Sequence, residues 1–125
     1  MNLGKFSLSL TVKDIAVSRE FYEKLTFKVI DGNQSEGWLI LRSGETLIGL
    51  FQDKFERNLL TFNPTDVRAI QAHLKQQGVP LIQEADAGEG PAHITLVDPD
   101  GNPILFDQHA EDYVPSGEKI SSEEG

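Results

Sequence analysis

The chain has 125 residues, of which 38% are hydrophobic, and it contains no cysteine. That length suits one domain able to bury a core without staples. The missing cysteines exclude a disulfide framework, a thiolate metal site and a cysteine nucleophile. The formal net charge is −9, from 20 acids against 11 Lys and Arg. This argues against nucleic acid and anionic membranes as partners, because phosphate contacts need clustered cations. It would attract a cationic small molecule, and it also serves plain solubility. No run approaches the ~18 apolar residues of a membrane span. The opening MNLGKFSLSL has no apolar signal core followed by a cleavage site, so a cytoplasmic location is expected.

Residues 6–12 (FSLSLTV) alternate. Leu8, Leu10 and Val12 point one way, and Ser7, Ser9 and Thr11 the other, which predicts a strand with one apolar face. Asp14 stands where an N-cap belongs, and Val17, Phe21 and Leu25 repeat every four residues after it. The spacing predicts a helix whose stripe of those three residues covers a sheet, with Glu20 and Lys24 paired on the exposed side. Strands are predicted over 27–31, 38–42 and 46–52, the last two joined by a short hairpin turn. The charged run Asp53-Lys54-Phe55-Glu56-Arg57 reads as a linker.

The order then restarts. NLLTF (58–62) predicts a strand, and Asp66 caps a second helix whose buried stripe is Val67, Ile70 and Leu74, ended by Gly78. VPLIQ (79–83), HITLV (93–97) and NPILFDQ (102–108) predict three more strands. The acidic, Gly-rich loop 84–91 joins the first two of these; it is a lid or simply a long connection. Asp98-Pro99-Asp100-Gly101 forms a turn. The helix-opening pairs Asp14-Ile15 and Asp66-Val67 lie 52 residues apart, so two units of about 50 residues stand in tandem. Residues 109–125 carry five acids and one base without periodicity, and an acidic, disordered tail is expected.

The stretch LTVKDIAVSREFYEKLTFKVI resembles the opening of the vicinal oxygen chelate superfamily, which includes glyoxalase I, bleomycin-resistance proteins and extradiol dioxygenases. Its L-x-V-x-D…S…FY…L…F pattern is met by Leu10, Val12, Asp14, Ser18, Phe21, Tyr22, Leu25 and Phe27. LVDPDGNPILF resembles the family's closing hairpin. The resemblance spans residues 6 to about 107. It implies an α+β fold of two βαβββ modules, approximately residues 4–53 and 58–108 of a single domain 1–108. The modules would form a cupped mixed sheet with a helix on the outer face of each, and the chain would be a homodimer.

Metal-binding members of this family use four His, Glu or Gln ligands. The resemblance sets those positions at Ser7, Gly49, Leu59 (or Asn58) and Leu105. None offers the imidazole or carboxylate donor that a divalent transition metal needs. No metal and no cofactor are therefore expected, and the family's metal-assisted chemistry with them.

By the same parity, Ser7, Ser9, Phe51, Thr61 and Asp107 face the cavity; the resemblance places His93 and Thr95 on that face, and Trp38 in a strand of its wall. Ser7, Ser9 and Thr61 are ligand hydrogen-bonding groups or small polar liners. Trp38 stacks on a planar ligand or packs in a core or interface. His93 beside Asp107 is an oriented general base or a strand histidine satisfied by a neighbour or water. Asp107 and His109 share one strand face. His73 is a surface residue. Two functions follow: binding of a small, partly apolar molecule, cationic or aromatic, or a glyoxalase-like lyase or isomerase using His93 and Asp107. A third reading is a structural dimer whose cavity is filled by Leu47, Leu59 and Leu105.

Overall fold

The computed structural model describes residues 1–110; the expected tail lies, from residue 111, outside them. The described chain divides into two compact units, one of Ser7–Asn58 and one that joins Met1–Phe6 to the described residues from Leu59.

In the first unit, β1 (Lys5–Val12) enters from the start of the chain and runs parallel to β4 (Thr46–Gln52). β4 pairs antiparallel with β3 (Trp38–Ser43), and β3 with β2 (Lys28–Asn33). Helix α1 (Ile15–Lys24) follows β1, and the Asp14 carboxylate accepts from the Ala16 and Val17 N–H groups at its start. Ile15, Leu39, Leu41, Ile48 and Leu50 are buried together, with Leu10, Val12, Tyr22, Phe27 and Val29 packed against them. These strand positions all have one parity, so one sheet face lies under α1, as the alternation of β1 predicts.

The helix does not bury the stripe the sequence suggests. Val17, Phe21 and Leu25 are 64%, 56% and 52% exposed. Ile15 and Tyr22 make the contact with the sheet instead. Those two are seven residues apart, nearly two full helical turns, so they share a face that points away from the 17/21/25 row. Glu20 and Lys24 form the expected exposed ion pair at 3.8 Å.

The second unit repeats the plan. β5 (Leu59–Asn63) runs parallel to β7 (Pro103–Gln108), and β7 pairs antiparallel with β6 (Ala92–Val97). Helix α2 (Val67–Gln76) begins at Asp66, whose carboxylate accepts from Ala69 N–H. Its Val67 and Ile70 are buried with Ile94, Leu96 and Phe106, and Leu74 packs against them, as the spacing predicts. Phe6, Phe62 and Phe106 form an aromatic run, with ring centroids 5.2 and 5.1 Å apart.

The strand expected over 79–83 is reduced to a single bridge between Gln83 and Thr95. The donors of this segment do not form a ladder: the Val79 N–H donates to the Leu74 carbonyl of α2 (2.9 Å), and the Ile82 and Gln83 N–H groups both donate to the Thr95 carbonyl (2.8 and 3.2 Å). Pro80 has no N–H to give. At the other end the Ala85 N–H donates to the Gln71 side chain on α2 (2.7 Å) rather than to β6. The loop beyond it is tied to α2 as well. The Arg68 guanidinium donates to the Asp86 carbonyl (2.9 Å), the Asp86 carboxylate (2.6 Å) and the Gly90 carbonyl (3.0 Å). Lys75 pairs with Glu84. The loop expected as a lid or a long connection is thus tied to α2 along its course.

Candidate functional site

Each unit has a sheet face that its helix does not cover. In the first, the residues of that face follow from the registers. Thr11 is level with Phe51, Phe51 with Trp38 and Trp38 with Asn33. In the next row Ser9 is level with Gly49, Gly49 with Ile40 and Ile40 with Asp31. The ladder slips by one residue between Val29 and Asp31, and this bulge turns the Asp31 carboxylate to the same side as Ile40. Ser7 and Ser9 on this face are only 6% and 4% exposed.

Gly49 and Phe51 determine what this face can hold. A Cβ at residue 49 would stand 2.4 Å from Phe51 Cε2 and 3.3 Å from Ile40 Cδ1. The Phe51 ring thus lies over the Gly49 backbone. It meets the Phe55 ring at a centroid separation of 5.1 Å, tilted by 46°. Phe55 is held by the Thr11 hydroxyl, which donates to its carbonyl at 2.9 Å, while Thr11 N–H donates to the Asn58 side chain at 3.0 Å. The supposed linker is therefore folded onto β1 and β4. Sequence reasoning missed Phe55; the available signal was a lone aromatic in an otherwise charged run.

In the second unit, Thr61 is level with Leu105 and Leu105 with Thr95, and His93 is level with Asp107 across the β6–β7 pair. Thr61 is buried and His93 is exposed. The Asn63 side-chain amide donates to the Asp107 carbonyl at 2.9 Å and stands 3.4 Å from His109 Nε2. His109 Nε2 is 3.5 Å from Asp107 Oδ2, so the shared strand face of Asp107 and His109 brings the two together. His73 is exposed, as expected.

The metal positions implied by the resemblance do not fit a metal. Ser7 offers a buried hydroxyl, Gly49 lies beneath a phenyl ring, and Leu59 and Leu105 have no donor atom. The Asn58 amide oxygen, the alternative to Leu59, already accepts from Thr11 N–H. Among the described residues no three His, Asp or Glu side chains are grouped so as to hold a metal ion, and no helix there is long and apolar enough to cross a membrane.

Comparison with known proteins supplies the rest. No curated protein matches the chain. Solved structures do. A glyoxalase/bleomycin resistance protein/dioxygenase superfamily member from Vibrio splendidus 12B01 is 18% identical, with a TM-score of 0.63, covering 82% of this chain and 97% of its own. A methylmalonyl-CoA epimerase from Mycobacterium tuberculosis is 19% identical, with a TM-score of 0.63 and coverage of 98% and 96%. A structure described as NAD-dependent benzaldehyde dehydrogenase from Legionella pneumophila is 19% identical, with a TM-score of 0.69 and coverage of 83% and 98%. At these identities the likeness is one of fold. The family model for Glyoxalase/Bleomycin resistance protein/Dioxygenase superfamily matches residues 6–106, and these span both the opening and the closing motif. The chain belongs to that superfamily.

Proposed function

We propose that this chain is a binding member of its superfamily, holding a small, partly apolar molecule against the helix-free sheet face of its first unit without a metal ion. The observation that carries this reading is the Phe51 ring laid over Gly49, where the metal-binding relatives would place a ligand side chain. Trp38 stands beside Phe51 across the β3–β4 pair, and Phe55 backs Phe51 from the other side. Aromatic faces with the hydroxyls of Ser9 and Thr11 alongside suit a ligand that is flat, largely apolar and polar at one edge. The net charge of −9 favours a neutral or cationic ligand over a polyanion such as a coenzyme A thioester, although epimerases acting on methylmalonyl-CoA share the fold.

Trp38 is the single tryptophan, so its emission reports directly on this face. Titration with cationic and neutral aromatic compounds should quench or shift it saturably, and Phe51→Ala should abolish the response. Saturable binding of acyl-coenzyme A alone, or a stoichiometric metal in the purified protein, would refute the reading.

A second reading rests on the His93–Asp107 pairing across β6 and β7. There a proton-transferring lyase or isomerase would use His93 as base and Asp107 to orient it. Turnover lost in His93→Ala, with binding and fold retained, would establish it; unchanged turnover would dismiss it.

A further inference from the structure

Residues 53–58, between β4 and β5, include one apolar side chain. Asp53, Lys54, Glu56, Arg57 and Asn58 are exposed, while Phe55 is half-buried, its ring against that of Phe51. The chain is fixed up to this point. Gln52 N–H donates to the Gly37 carbonyl at 2.8 Å, and the Gln52 side chain accepts from Ile15 N–H at 2.9 Å. Asp53 then turns the backbone with a φ of +59°, a conformation few non-glycine residues adopt. Beyond the turn Thr11 holds the segment twice, its hydroxyl donating to the Phe55 carbonyl and its N–H to the Asn58 side chain. A turn that costs free energy and two hydrogen bonds thus set one phenyl ring and one carbonyl oxygen at a fixed place on the helix-free face.

We infer, building on the proposed binding at Phe51, that this segment is a built-in stand-in for the ligand, and that the ligand is an aromatic compound with a neutral hydrogen-bond acceptor beside its ring, such as an aryl amide or ketone. Phe51 lies over Gly49 and carries the Phe55 ring against it, so a ligand ring stacked on Phe51 takes the place of Phe55. That exchange frees two donors on Thr11, the hydroxyl and the N–H, and Thr11 is level with Phe51 in the β1–β4 ladder. Donors left beside an aromatic surface favour a ligand that replaces the acceptors they lose. The net charge of −9 selects a carbonyl over a carboxylate for that acceptor. The displaced segment is charged apart from Phe55 and Asn58, so its release exposes one apolar side chain and opens at small cost.

Benzamide, one ring with one adjacent carbonyl, is the probe, and Trp38 emission in the full chain is the readout. The apparent affinity of the unaltered chain is lowered by the fraction of time the segment is open. Phe55→Ala should therefore tighten benzamide binding about threefold to tenfold, although it takes an aromatic side chain away from the site. Should Phe55→Ala disturb the circular dichroism spectrum, Asn58→Ala keeps Phe55, removes one of its two catches and should shift the affinity in the same direction. Benzamide should also bind more tightly than toluene, which has the ring without the acceptor. Thr11→Val should reduce that preference and Thr11→Ser should keep it; the ratio of the two affinities does not depend on how often the segment opens. Unchanged or weaker benzamide binding in a folded Phe55→Ala variant makes Phe55 a wall of the site and overturns the inference, as does equal binding of benzamide and toluene. In both of those cases binding at Phe51 itself survives. No saturable response to either probe in any variant removes binding at Phe51, and the inference with it.

Discussion

Phe51 lies on Gly49: the ring's Cε2 stands 2.4 Å from where a Cβ on residue 49 would be. The two positions therefore form one packing unit, in which the absence of a side chain at 49 is the condition for the ring at 51. Gly49→Ala should destabilise the protein by about 1–3 kcal/mol through overpacking. In a Phe51→Ala background the same change should cost much less. Urea unfolding of the two single variants and the double variant measures the coupling. Additive effects would show that the ring has somewhere else to go.

The two glutamines that end β4 and β7 do the same work in their units. The Gln52 side chain accepts from Ile15 N–H at 2.9 Å, and the Gln108 side chain accepts from Val67 N–H at 2.8 Å. Each satisfies a backbone donor in the first turn of a helix, where no intrahelical partner exists. Gln52→Ala and Gln108→Ala should each cost about 1 kcal/mol. Hydrogen exchange should localise the loss to the first turn of α1 and of α2 respectively. A uniform loss of protection would contradict this assignment.

The turn between β6 and β7 sets an acid-dependent term. The Asp98 carboxyl is held below its usual range, first by the Asn102 side-chain amide and then by the Asn102 backbone N–H. The Asp100 and Gly101 backbone groups add to this, and partial burial opposes it. A carboxyl depressed in the folded state contributes stability above its unfolded pKa, and that contribution is lost as pH falls through the folded value. Asp98→Asn keeps an acceptor oxygen but removes the titration. Its melting temperature should fall less steeply than that of the unaltered chain below about pH 4. Parallel acid limbs would mean that Asp98 is not responsible.

The sequence periodicity carried most of the fold. Alternation in β1 and β4, Asp14 and Asp66 as caps, and the 52-residue offset between the helix starts each correspond to an observed element. Parity also carried which residues share a sheet face, as Ser9 does with Gly49 and Thr61 with Leu105, because a register is a strict period of two. What escaped was decided by partners distant in the chain. Whether α1 buries its 17/21/25 row or the Ile15/Tyr22 face depends on how the helix rolls on its sheet, and the sequence offers an apolar pattern to both. The strand at 79–83 shrank because Pro80 has no N–H, the Val79 N–H turns to Leu74 of α2, and Ile82 and Gln83 share one acceptor on Thr95. Phe55 looked like a linker residue because its charged neighbours hide the hydrogen bond its carbonyl accepts from Thr11, and Asn58, read as the first residue of a strand, instead accepts from the Thr11 N–H.

The reduction of that strand to one bridge bears on solubility. β6 is laddered to β7 along its whole length, but on its other side it meets only the segment ending at Gln83, at Thr95. A bare sheet margin invites strand addition by another chain and growth into aggregates. Here the segment leaving that margin carries Glu84, Asp86 and Glu89, and Arg68 and Lys75 anchor two of these acids beside α2. The contacts that tie this loop to α2 therefore also flank the margin with a held, charged segment in place of a free strand.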